Sequence, residues 1–154
     1  MSDVFISYSS QDERLARFVA SHLEGESVSV FLAALSLKPG DNWSKEIFKS
    51  LGASNWVLFL ASRAACRSAY VQQELGAALA GQKNIVPVVW DMDVSELPGW
   101  IHEKQALILK SISIDEARRR MSEIARRIKK DKAMALLIAG VVVGGLIYLS
   151  MKSS

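Results

Sequence analysis

The chain has 154 residues, half of them hydrophobic, with 19 Lys/Arg against 16 Asp/Glu and a single cysteine. That length fits one domain and leaves little room for a second, while a lone Cys66 excludes an internal disulfide or a cysteine-rich metal site and suits a reducing compartment. Residues 1–110 hold 10 basic against 12 acidic side chains and residues 111–132 hold 8 against 4, so the basic character belongs to one segment and argues against a nucleic-acid-binding face.

The amino terminus lacks the basic and long apolar regions of a signal peptide and reads as the start of a folded domain. Val4-Phe5-Ile6 is a short apolar run of β-formers, predicted as a buried strand. Ser10 and Glu13 have capping-box spacing, opening a helix with Leu15, Phe18, Val19 and Leu23 at helical intervals. Glu24-Gly25-Glu26 breaks it, and Val28–Phe31 alternates as a second strand. Leu37–Asn42 has turn chemistry, and Ile47, Phe48 and Leu51 mark the next helix. Trp56–Ala61 is continuously apolar, as a central strand covered on both faces should be. After a polar loop, Val71, Leu75, Ala78 and Leu79 give a helical stripe. Ile85–Trp90 is a further strand whose Pro87 places it near a sheet edge, and Ala106–Leu109 is a short fifth. Strands alternating with helices predict an α/β fold, a five-stranded parallel sheet with helices on both faces. Ligands of such sheets bind beyond the carboxyl ends of the strands, here the loops after Ser7, Phe31 and Ala61.

Ser113 and Glu116 form a second capping-box pair, opening a helix with Ala117, Met121, Ile124, Ala125 and Ile128 on one face and eight Lys/Arg crowding the rest. It runs into residues 133–151, a stretch of 19 residues with no charge. At about 1.5 Å per residue a helix of that length spans about 28 Å, close to the hydrocarbon core of a bilayer. Its nine Leu, Ile and Val residues contribute about −3 to −5 kcal/mol towards insertion. One transmembrane helix over 133–151 is therefore predicted, behind a domain covering 1–130. The basic side is cytoplasmic, attracting anionic head groups. The other reading of the segment, a buried helix of a soluble domain, would usually show a polar face. Gly140 and Gly144 have the small-xxx-small spacing that lets two spans pack closely.

Four segments in register resemble the Toll/interleukin-receptor (TIR) domain family, bacterial type. Asp3–Asp12 is similar to its first box, Leu35–Trp43 to the loop after the second strand, Ser68–Leu75 to its Ser-x-aromatic-x-x-x-Glu-Leu segment, and Ile85–Asp91 with Leu97-Pro98 to the fourth. The likeness covers roughly residues 1–130 and implies a flavodoxin-like fold. It also implies either homotypic assembly with other TIR domains or cleavage of NAD at the nicotinamide–ribose bond, by hydrolysis or by cyclisation to an ADP-ribose signal, as in anti-phage defence. NAD is then the substrate, and no cofactor is implied.

On that resemblance Glu74 is the catalytic carboxylate. Tyr70 lies four residues before it, hence beside it on one helix face. Bond cleavage develops positive charge on the ribose, which a fixed carboxylate stabilises while an aromatic ring packs against the substrate. Spacing alone favours a solvated glutamate on an amphipathic helix, and it is the resemblance that points to the catalytic role. Tyr8, Ser9 and Ser10 could donate hydrogen bonds to a pyrophosphate or ribose at a helix N-terminus, or Ser10 could simply cap. Lys38, Pro39 and Gly40 fit a lid or an ordinary turn, and Trp43 and Ser68 complete the predicted substrate-binding set. The chain departs from catalytic bacterial members in having Tyr70 where they commonly have Trp, and Phe31–Leu35 where many carry an acid. His22 and His102 sit in no triad or metal-ligand pattern. Beside a membrane-anchored NAD-cleaving enzyme stand two alternatives: a non-catalytic TIR–TIR assembly module, and an effector that disrupts the membrane when its spans cluster.

Overall fold

The computed structural model describes residues 2–35, 45–67, 76, 83–102 and 104–153. Its elements run β1 (Val4–Ser9), α1 (Glu13–Gly25), β2 (Val30–Leu35), α2 (Lys45–Ala53), β3 (Trp56–Leu60), α3 (Arg63–Arg67), β4 (Asn84–Val89), α4 (Gly99–His102), β5 (Leu107–Ile108) and α5 (Ile114–Lys152). The strands form one parallel sheet in the order β2-β1-β3-β4-β5, the flavodoxin-like doubly wound order. All residues of β1 and β3 are buried, because both are flanked on each edge and covered on each face.

Period-two alternation sorts the strand side chains between two apolar layers. Val4, Ile6, Tyr8, Leu58 and Val88 pack with α1 and with Met121, Ile124 and Ile128 of α5. Phe5, Val57, Phe59 and Val89 face the opposite layer with Leu51 and Ile101, where Phe5 and Phe31 stack at 5.6 Å. The fifth strand pairs only with Val88 and Val89. Pro87 therefore lies outside that ladder, and its missing N–H is no defect there.

Two local expectations differ from what forms. The second strand covers Val30–Leu35 rather than Val28–Phe31. Val28 is core, and Ser29 is held instead by Asp3: its N–H donates to Asp3 Oδ2 at 3.0 Å, and Asp3 N–H donates back to Ser29. Burial acts to raise the Asp3 carboxyl, but Ser29 and Lys132 outweigh it and hold the group below its usual range. The first helix does not use the Ser10/Glu13 capping box. Residues Ser10–Asp12 form a 3-10 turn, and the hydroxyl bond is made one residue earlier, by Ser9.

The final helix is continuous over 39 residues. Ser113 accepts from the Glu116 N–H at 3.2 Å, as capping predicts, but the Glu116 carboxylate turns to Arg119 and Arg120, which hold it down to about 2. Its buried residues are Ala117, Met121, Ile124, Ala125 and Ile128, the predicted stripe. Beyond Lys132 no described side chain is buried: Leu136, Leu137, Val141 and Leu146 are all exposed. A buried helix of a soluble domain is thereby removed as a reading, and the segment is long and apolar enough to cross a membrane.

Candidate functional site

Polar groups collect where the sheet's strands end. Strand β1 closes on Ser9, whose hydroxyl donates to Asp12 Oδ2 at 2.8 Å, and both residues are buried. Asp12 stands at the N-cap of α1 without a side-chain capping bond, where the positive end of the helix dipole favours its charge. Next to β1, strand β3 closes on Ala61 and buried Ser62, whose Oγ accepts from the Ala65 N–H at 3.2 Å. The Arg63 N–H donates to both carboxylate oxygens of Asp91, at 3.2 Å each, tying the end of β3 to that of β4. Ser7, one turn of the pleat below Ser9, is fully buried with no hydrogen-bond partner for its Oγ among the described residues.

Cys66 sits among these groups. Burial, reinforced by the Asp91 and Asp12 carboxylates, pushes its thiol from 9.0 up to about 12. The thiolate is the reactive form, so this cysteine is no nucleophile near neutrality. Because the folded value is raised, the associated stability is complete below the ordinary value and drains away as pH climbs from 9.0 towards about 12. We expect iodoacetamide at pH 8 to leave Cys66 largely unlabelled in the native protein and to label it rapidly in urea. Comparable rates in both states would show an accessible, ordinary thiol.

Of the sequence-predicted set, the described residues include Tyr8, Ser9 and Ser10. Tyr8 lies in the apolar layer against α1, Ser9 is engaged by Asp12, and Ser10 is exposed. Lys38, Pro39, Gly40 and Trp43, and likewise Ser68, Tyr70 and Glu74, lie outside the described residues. In the chain they follow the carboxyl end of β2 and the end of α3 respectively. A hollow of about 530 Å³ also opens at this edge, lined by Asp12, Arg14, Leu15, Phe18, Trp90 and Ile114 among others. Its size suits a small molecule, yet no predicted site residue lines it. Asp12, Ser62, Cys66 and Asp91 were not singled out by sequence reasoning. Only Asp12 carried a local signal, the Ser-x-x-Asp spacing from Ser9.

Residues 4–124 match the TIR domain family. The chain is 32% identical over 134 residues to NAD(+) hydrolase SARM1 of Danio rerio, covering 71% of this chain and 19% of that protein. It is 27% identical over 97 residues to the probable 2' cyclic ADP-D-ribose synthase BdTIR of Brachypodium distachyon, covering 62% of this chain and 43% of that one. It therefore spans less than half the length of either relative. Among solved structures, the TIR domain of the Toll-related receptor TRR-2 from Hydra magnipapillata superposes with a TM-score of 0.64 at 19% identity, covering 84% of this chain and 99% of that one. At that identity the likeness is one of fold.

Proposed function

The chain belongs to the TIR domain family, and from that premise we propose that it is a membrane-anchored enzyme cleaving NAD at the nicotinamide–ribose bond. The observation that carries this reading is the concentration of buried polar groups at the carboxyl ends of two adjacent strands: Ser9 and Asp12 beyond β1, Ser62 beyond β3. Their burial is offset by the hydrogen bonds they make, Ser9 to Asp12 and the Ala65 N–H to Ser62, which hold polar groups fixed at the edge where parallel sheets bind ligands. The names of the two relatives point the same way.

In this reading residues 1–130 form the catalytic domain and 133–151 the anchor, with the domain on the cytoplasmic side of the cell membrane. Glu74 stabilises the positive charge that grows on the ribose as nicotinamide leaves. Tyr70 packs against the substrate, and Ser9, Ser68 and the loop bearing Lys38, Pro39 and Gly40 bound the pocket. The product leaves as ADP-ribose or its cyclised form, and assembly with further TIR domains on the membrane serves anti-phage signalling. A second reading, a non-catalytic assembly module, is favoured by the apolar side chains exposed at the same edge, Trp90 and Ile114, and by the absence of an acid in Phe31–Leu35.

The test is nicotinamide release from NAD by the full chain in vesicles at rising surface density, against Glu74→Ala. Release that falls by about 10²–10³-fold in the variant, with its circular dichroism unchanged, supports the enzyme. No release at any density leaves the assembly module. Undiminished release from Glu74→Ala removes that residue from the chemistry.

A further inference from the structure

The terminal helix α5 runs antiparallel to the strands and leaves the domain at their amino ends. It starts beside Trp90 and Asp12 at the carboxyl edge, where Ile114 lines the same hollow. It finishes its contacts against the first residues of β1, β3 and β4. There Trp56 Nε1 donates to Asp131 at 3.1 Å, Asn84 Nδ2 to the same carboxylate at 3.4 Å, and Lys132 pairs with Asp3 at 3.0 Å. The Arg127 guanidinium lies 5.3 Å from the Trp56 ring centroid. The uncharged segment begins at Ala133, one residue past the last of these contacts, with no break in the helix. Domain and apolar segment thus share one helix.

This floor carries a polar hollow of about 130 Å³ at the start of β3 and β4, lined by Lys83, Lys104 and Arg127 together with Trp56, Asn84 and Gln105 among others, and by no carboxylate among the described residues. Lys83 donates to the backbone carbonyls of Gly52 and Ser54, and burial pushes its ammonium down. The acids nearby are already engaged: Asp3 by Lys132 and Ser29, Asp131 by Trp56 and Asn84, Glu26 by Ser122 and Lys129. Among the described residues neither Lys83 nor Lys104 has a carboxylate partner. On the other side of the helix a second hollow of about 360 Å³ lies where the floor meets the apolar segment, between Asp3, Asn55 and Lys132 on one side and Ile128, Ala135 and Leu136 on the other. Arg127 stands six residues before Ala133, or about 9 Å along the axis. The headgroup layer is about 5–8 Å deep on each side, and lysine side chains bridge the difference.

We propose that the amino-end face of the sheet is a lipid-docking face, in which Lys83, Lys104 and Arg127 take the phosphate of an anionic phospholipid. The carboxyl-edge site then opens away from the bilayer, on the order of 20 Å above it. This rests on the membrane-anchored reading and adds to it a fixed orientation and a specific headgroup site.

The full chain, in a Cys66→Ala background, would carry a fluorophore at Asn55→Cys on the floor or Ser95→Cys at the carboxyl edge. It would be reconstituted into phosphatidylcholine vesicles with and without phosphatidylglycerol, with a headgroup-level quencher. Carbonate-resistant sedimentation reports insertion separately. Quenching several-fold stronger at position 55 than at 95, increased by phosphatidylglycerol and lowered by Lys83→Gln/Lys104→Gln with insertion intact, is the expected result. Equal quenching at both positions in an inserted chain overturns the docking face alone. Loss of the phosphatidylglycerol effect on adding inorganic phosphate, but not matched chloride, overturns lipid as the occupant and assigns the hollow to free phosphate. A chain that carbonate extracts overturns both this proposal and the anchor beneath it.

Discussion

Val142→Arg should convert a chain that resists alkaline carbonate into one that carbonate strips from vesicles. Position 142 is the midpoint of the uncharged stretch 133–151. The nine Leu, Ile and Val residues supply about −3 to −5 kcal/mol, and one central arginine costs about 2.5–3.5 kcal/mol while removing a valine's share. Insertion then sits near balance, a drop of roughly two orders of magnitude in the partition constant. The domain should be untouched, because position 142 lies well beyond Ala135 and Leu136, which line the hollow beside it, and the segment is exposed. Quantitative carbonate extraction decides the matter, with far-ultraviolet dichroism as the control for folding. A wild-type chain already extracted by carbonate, or a variant as firmly held as wild type, would be incompatible with a span at 133–151.

The second large effect is on the fold itself. Phe59→Ala should remove about 3–5 kcal/mol of stability, the usual cost of emptying a buried aromatic site. Phe59 is fully buried on the central strand, with Ser7 and Pro87 as its register partners on either side and Phe5, Leu51 and Ile101 in its layer. Strand neighbours on both sides and a helical layer above leave it little freedom to collapse. Total stabilities of ordinary domains are about 5–15 kcal/mol, so much of the population should unfold under mild urea. The measurement is a urea titration in detergent micelles, followed by tryptophan fluorescence. A midpoint shift equivalent to less than about 1 kcal/mol with unchanged slope would mean that the layer repacks.

What the sequence made legible divides by range of interaction. Continuous apolar runs sufficed for β1 and β3 because burial on both faces leaves no polar alternation to misread. The stripe Ala117 to Ile128 was readable because a helix repeats its face every three or four residues. The start of β2 was not, since it depends on the exchange of hydrogen bonds between Asp3 and Ser29, 26 residues apart. At the first turn two spacings competed, Ser10 to Glu13 and Ser9 to Asp12. Burial decided in favour of the second: a carboxylate taken into the interior must find a donor there. For the site, Glu74 and Tyr70 came from the family resemblance. The carboxylates that bear on Cys66 are brought to it by different strands, which no window of residues reveals. The same holds for Lys83, Lys104 and Arg127.

The unbroken course of α5 fixes an angle as well as a distance. At about 100° per residue, the side of the helix that carries Gly140 and Gly144 lies roughly 140° around the axis from the stripe that grips the sheet. Two chains joined through those glycines would therefore hold their domains on the outer flanks of the pair, back to back. Contact between domains would have to come from a neighbouring pair, so that the two kinds of association, having different partners, would knit chains into rows across the membrane plane rather than close them off as isolated twos.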